Sequence, residues 1–429
     1  MPMIMVRDTE KAFWQYKEKI KNITFEYEIN IPEDAEESWD VSAYNNGLVI
    51  AYIKTNKEDS NYYDLYIQGK ERIYANPNSS QMFFGFNYVD SINNIEILNT
   101  SKVTNMEKMF ARCGQDSNVF TLDLGDNFDT SNVTNMQQMF SISGISNENF
   151  TLDLGDSFNT KNVKNMIDMF HRTGEISKVF DLDLGAYFDT SNVTNMSSMF
   201  SFSGVRTLDL GDKFNTSQVT NMYGMFQGTG DSSLEFSLDL GDNFDTSNVT
   251  NMGWMFASVG YSNPNFTLDL GNNFNTSNVT NMNGMFHQTG RSSQKFLLEL
   301  GEQFDTSNVT NMSSMFYQTG FKSDTFTLDL GDNFNTSNVT NMSGMFREGG
   351  KAILKLGNKF NISNVINMEN MFWGNSSKVI YLNQGNFNSN ISTNGMFGNC
   401  HYITVYVKSQ SDKELLESKG FSSVTIVVG

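Results

Sequence analysis

"FDTSNVTNMSSMF" occupies residues 188–200 and returns letter for letter at 304–316. Edited copies stand elsewhere along the chain. The first methionine of their "NMxxMF" core falls at Met106, Met136, Met166, Met196, Met222, Met252, Met282, Met312, Met342 and Met368, in steps of 30, 30, 30, 26, 30, 30, 30, 30 and 26 residues. A period in this range marks stacked supersecondary units, none of which can bury its apolar face alone. The phrase repeats because each turn of a solenoid must match its neighbours. Gly204 to Gly211 spans seven residues where Gly144 to Gly155 spans eleven, so the basic unit is 26 residues with an optional four-residue insertion at one corner.

Within one unit, "FTLDLG" at 120–125 puts Phe120, Leu122 and Leu124 on one side and Thr121 and Asp123 on the other, the period-2 signature of a short half-buried strand. "GDNFDTSN" then supplies bend-forming residues, with Ser131 or Asn132 placed to cap a helix. In "VTNMQQMF", Val133, Met136, Met139 and Phe140 fall at spacings 0, 3, 6 and 7, which predicts a helix of about two turns held by its neighbours. Stacking also aligns Asn132, Asn162, Asn192, Asn248, Asn278, Asn308 and Asn338 into an amide ladder able to satisfy turn backbone. The expected fold is an α/β repeat solenoid, one short strand and one short helix per 26–30-residue turn. Residues 92–400 hold about ten to eleven units. A β-rich leader (1–91) and a strand–helix–strand tail (401–429) are expected to close its two ends, since open ends would expose apolar columns and strand edges.

With 48 acidic against 29 basic side chains the chain carries a formal charge of -19, which excludes a phosphate-backbone partner and so nucleic acid. Cys113 and Cys400 are the only cysteines, too few for a disulfide scaffold or a thiolate metal cage. The amino-terminal stretch lacks the apolar core of a secretory signal and no run is long enough to span a bilayer, so no membrane insertion is expected. No phosphate loop, nucleophile elbow or Cys/His arrangement occurs, and His171, His287 and His401 lack ligand spacing. The chain reads as no enzyme.

"FDTSNVTNMSSMF" joined to "LDLG" resembles the repeat of the BspA-like leucine-rich-repeat surface proteins of bacteria, over roughly residues 92–400. The leader segments "SWDVSAYNNGLVIAYI", "DLYIQG" and "IYANPNSSQMFFGF" and the tail resemble the flanks of such arrays. The resemblance implies a leucine-rich-repeat-like solenoid, an extracellular or cell-surface location, and adhesion to a protein or cell-surface ligand. It also allows a virion structural protein, a fibre, tail or capsid decoration, docked to a larger assembly through its N-terminal region. The four-residue insertion departs from the family pattern.

Constant positions serve the stack, so a partner is sought among the variable ones. The pairs between the two core methionines, the five-residue insertions and the residues beside them contribute Tyr223, Trp254, Tyr261, Arg291, Tyr317 and Phe321, and aromatic and arginine side chains are the usual anchors of interfaces. The recurrent "NVT" and the methionine columns read as structural. Asp123, Asp153, Asp183, Asp209, Asp239, Asp269, Glu299 and Asp329 form an acidic column on the strand face, either a solvated surface or a track bridged by Ca²⁺.

Overall fold

The computed structural model describes all residues of the chain except Asp242, Lys351, Ala352, Ser422 and Ser423. They form two compact units, Met1–Asn215 and Thr216–Gly429.

The first unit opens with a 3-10 helix, Ala12–Lys19, and a five-stranded sheet. Its strands are β1 (Ile20–Tyr27), β2 (Glu37–Asp40), β3 (Val49–Thr55) and β4 (Tyr63–Gly69), joined after β5 (Ile73–Tyr74) by β6 (Ser91–Asn93), in the order β2-β3-β4-β1-β6. Strand β7 (Leu98–Asn99) pairs with β5. The aromatic side chains that seat this sheet on the repeats are Phe13, Trp14 and Phe25, all fully buried, with the Trp14 indole N–H donating to the Met82 carbonyl at 2.8 Å. Trp39, Tyr62, Tyr63 and Tyr66 stay half-buried and pack on other leader aromatics. The first rung of the repeat lies earlier than residue 92: "NSSQMF" at 78–83 is a worn "NMxxMF", and the Phe83 N–H donates to the Met109 carbonyl at 2.9 Å.

The helix expected in every unit is absent. "VTNMQQMF" is instead a chain of consecutive β-turns, and helix among the described residues is confined to Ala12–Lys19, Ile95–Ile97 and α1 (Gln410–Ser418). The reason is visible in the hydrogen bonds. Met136, Gln138, Phe140 and Ile142 donate their N–H groups to the next coil, at Asn165, Ile167, Met169 and His171. Met139, Ser141 and Ser143 donate three residues back within their own coil. A helix would spend all of these donors internally and leave none to hold the stack. Gln138 (φ +56°) and Ile142 (φ +65°) sit at the third positions of alternate turns, where a type II turn requires positive φ. Three-residue steps still bring Val133, Met136, Met139 and Phe140 to the core, all with no exposed surface.

The strand corner is less regular than the turn side. In the first unit β8 (Leu122–Asp123) and β9 (Leu152–Asp153) pair in parallel, with Gly155 so close to Gly125 that a Cβ would stand 2.3 Å from its carbonyl oxygen. The equivalent residues 181–185 make no strand, and β10 (Thr207–Asp209) follows. In the second unit, after β11 (Ser237–Asp239), strands β12 (Thr267–Asp269) and β13 (Leu297–Glu299) pair, as do β14 (Thr327–Asp329) and β15 (Ile353–Lys355), while β13 and β14 do not. Ring spacings show the same fan. Phenylalanines closing "NMxxMF" stack 5.4–5.9 Å apart from Phe226 to Phe397, whereas Phe244, Phe274, Phe304, Phe334 and Phe360 beyond the strand corner stand 6.3–6.4 Å apart. The second unit ends in a parallel sheet β16-β17-β18 (Val379–Leu382, Ile403–Val407, Val424–Val428), with α1 capped by Ser409 between the last two strands.

Two substitutions in the first unit separate this architecture from the helical one. Ser198 has φ +53°, so Ser198→Gly should leave the melting temperature unchanged or raise it, where a helix interior would lose about 0.5–1 kcal/mol. Gly204→Ala should destabilise by about 2 kcal/mol or more, because the added Cβ would lie 1.9 Å from the Gly174 carbonyl oxygen. Thermal and urea melts of the two variants measure both.

Candidate functional site

The constant polar positions are occupied with holding coils together. The amide of Asn132 donates to the Ser101 carbonyl at 2.8 Å, and in the second unit Asn248, Asn278, Asn308 and Asn338 do the same one coil back at 2.6–2.7 Å. The amide ladder exists, although on an exposed flank. Asp123, Asp153, Asp183, Asp209, Asp239, Asp269 and Asp329 each accept the N–H of the glycine two residues on, at 2.8–3.1 Å. Each carboxylate thus closes its own turn. No group of three His, Cys, Asp or Glu side chains suited to holding a metal occurs among the described residues. A cleft of about 800 Å³ opens in the first unit where the strand corner is unpaired, lined by Asp156, Asp181, Asp183, Asp209 and Lys213, with Asp181 held by Arg206.

The insertions are not free loops either. Asn147 is fully buried and donates to the Phe120 carbonyl at 2.7 Å, and Asn263 repeats the bond on Phe236 at 2.9 Å. Ser177, Ser293 and Ser323 hold the same third position and likewise bond the preceding coil, so the third residue of these insertions is a pin.

All six sequence-selected residues lie in the second unit. Tyr223 is 39 % exposed and lies over Gly253 of the next coil. The other five are half-buried, and the structure gathers them into two columns. In one, the Arg291 guanidinium is sandwiched between Tyr261 at 5.4 Å and Phe321 at 5.3 Å, with Nη1 donating to the Tyr261 hydroxyl at 2.7 Å. In the other, His287 joins Trp254 (4.8 Å between ring centres) to Tyr317 (4.5 Å, nearly parallel). Arg347 continues this column, 5.6 Å above Tyr317 and 4.6 Å from Trp373. A polar row runs between them: the Gln288 amide donates to Gln318 at 2.7 Å, Arg291 Nε donates to the same oxygen at 2.8 Å, and Gln318 donates to Glu348.

Sequence reasoning missed His287, Arg347, Trp373, Gln318 and Glu348. The signal was there: the residue directly after "MF" reads Gln227, Ala257, His287, Tyr317, Arg347 and Trp373 down the second unit, but Ala111, Ser141, His171 and Ser201 down the first. A periodic protein is read by column, and the pairs between the methionines supplied Trp254 while the column directly after "MF" supplied its neighbours.

A family model described as "Mycoplasma protein of unknown function, DUF285" matches residues 78–205, 201–317 and 291–409. The chain belongs to this family. The first match begins at Asn78, which is also where the DUF285 ladder of backbone bonds begins. No curated protein and no solved structure matches the chain. Among the described residues of this DUF285 chain, no helix is long and apolar enough to cross a membrane.

Burial of the His287 ring pulls its pKa down to about 4, and its Nδ1 is buried without a partner among the described residues. The neutral imidazole is therefore the form the column packs. The folded pKa lies below the unfolded value near 6.5. Protons are taken up preferentially by the unfolded chain as pH falls from about 6.5 to about 4, and stability is lost across that window. Urea melts should show a smaller loss over this range for His287→Gln than for the parent chain, and equal losses would mean that His287 is not buried in this way.

Proposed function

We propose that this chain is a non-catalytic binding module that works at a cell surface, a rigid leucine-rich-repeat-like scaffold whose partner docks on the aromatic and arginine edge of the second unit. The observation that carries the reading is the placement of that edge. His287, Tyr317, Arg347 and Trp373 stand directly after "MF", where the first unit has Ala111, Ser141, His171 and Ser201, and Trp254, from between the two methionines of its own coil, packs against His287. The stack does not require them, and a scaffold that fixes side chains at rung spacing reduces the ordering cost of a contact surface. The BspA-like resemblance supports the surface and adhesion part of the reading. The leader sheet over Phe83 and the β16-β17-β18 sheet are then caps that shield the apolar columns at the two ends.

Binding of the purified chain to intact animal cells, scored by flow cytometry, tests the reading. Trp254→Ala combined with Tyr261→Ala should weaken binding at least tenfold, about 1.4 kcal/mol. Asp239→Asn combined with Asp269→Asn, on the strand face, should change it by less than twofold, with melting curves confirming that both variants are folded. The opposite ranking would place the working surface on the acidic face.

A further inference from the structure

The geometry of the second-unit edge points to the chemical class of its ligand: we propose that it recognises a glycan carrying carboxylates, through the guanidinium groups of Arg291 and Arg347. This inference rests on the binding reading above and makes it specific.

The spaces between the rings of this edge are filled. His287 and Tyr317 are covered on one side or both by column neighbours, Arg291 fills the space between Tyr261 and Phe321, and Arg347 that between Tyr317 and Trp373. What remains toward solvent is ring edges, which carry the positive part of the aromatic quadrupole, together with N–H and O–H donors. The cations lie here as well. Arg291 uses Nε and Nη1 within the edge and keeps Nη2 without a partner among the described residues. Arg347 has only Glu348 at 3.5 Å from its Nε, its Nη1 and Nη2 have no partner among the described residues, and its side chain is 36 % exposed. Lys295 and Lys322 stand exposed beside them. On a chain of charge -19 these cations gather on one edge, and its carboxylate Glu348 engages only the Nε side of Arg347, which leaves the outer guanidinium nitrogens to an anion. A planar guanidinium held between rings is a preorganised fork for a carboxylate.

A peptide is the weaker fit. The backbone donors along the edge are spent, Ser258 on His287, Gln288 on Tyr317, Gln318 on Arg347 and Glu348 on Trp373, at 2.7–3.0 Å, so no strand can be added. Because the spaces between neighbouring rings are filled, no slot between them is left for a side-chain anchor. A sugar needs neither. Its hydroxyls suit the Tyr317 hydroxyl and also Gln288 and Glu348, which the buried Gln318 holds in place, and its carboxylates suit the two arginines.

Biolayer interferometry of the full chain decides the matter, using polygalacturonate as the uronate probe and a sialyllactose-bearing polymer as the sialate probe. Carboxyl-reduced polygalacturonate and a lactose polymer serve as neutral counterparts, and polyglutamate as a peptide polyanion. Binding is expected to one or both acidic glycans and to neither neutral one. Arg291→Gln and Arg347→Gln should each weaken it at least tenfold, and Lys178→Gln, a surface cation of the first unit, should not. Arg291→Lys and Arg347→Lys keep the charge, lose the fork and should also weaken it. Should an arginine variant unfold, hydrogen exchange of the parent chain with bound glycan replaces it, with protection expected at 287–291 and 317–321; protection only elsewhere overturns the proposal. So do failure to bind either acidic glycan, equal binding of a neutral counterpart or of polyglutamate, or indifference to both arginines. If no acidic glycan binds while the cell assay still depends on Trp254 and Tyr261, the sugar is wrong and the edge stands. If the cell assay is indifferent too, both readings fall.

Discussion

Every coil divides its backbone donors between itself and its neighbour, and the rest of the structure follows from that division. Along "NMxxMF" alternate N–H groups close a turn or reach the next coil, so local bend and long-range cohesion come from one segment of eight residues. Neither half suffices alone: turns without the ladder are isolated bends, and a ladder without turns would run off as an open strand. Buried methionine and phenylalanine columns add the apolar driving force, and the ring stacks fix the spacing at which the ladder bonds form.

That division also sets where the stack is tight and where it yields. The turn side is bonded at every rung in each unit, whereas the strand corner pairs and parts by turns, so the coils fan outward toward the "LDLG" corner. A conventional leucine-rich repeat is expected to close on its strands; here the closure is on the side that the sequence spacing marks as helical. Trp254 lies within this tight segment and His287, Tyr317, Arg347 and Trp373 directly after it, so the side chains of the edge inherit its regular spacing.

The period, the strand and the inward-facing residues were readable from the chain itself, because Val133, Met136, Met139 and Phe140 are apolar wherever they recur. The helix was not, since spacings of 0, 3, 6 and 7 are common to helical turns and to consecutive β-turns. Nothing in Gln138 or Ile142 announces a left-handed backbone, although Gly224, Gly284 and Gly344, which take the Gln138 position in other units, did carry that hint. The aspartate column was legible as an exposed column, but not its bond to the glycine two residues on, which is a matter of turn geometry that alternation does not reveal. Of the aromatic and arginine edge, the sequence supplied the residue types and the insertion corner. It did not supply the pairing, which depends on which side chains land on the same rung position one coil apart.

The ladder bonds run from Asn105 to Asn135 to Asn165 to Asn195 in the first unit and from Asn221 to Asn251 to Asn281 to Asn311 to Asn341 in the second, always between equivalent atoms. A coil therefore shows its successor the same donors and acceptors that its predecessor showed to it. Excise one whole coil and the two cut surfaces still match; duplicate one and the copy finds both of its partners in place. Copy number is in this sense a free variable of the architecture, constrained by the ends and not by the middle, and the near-verbatim phrases in the chain are what a history of gaining and losing units would leave behind.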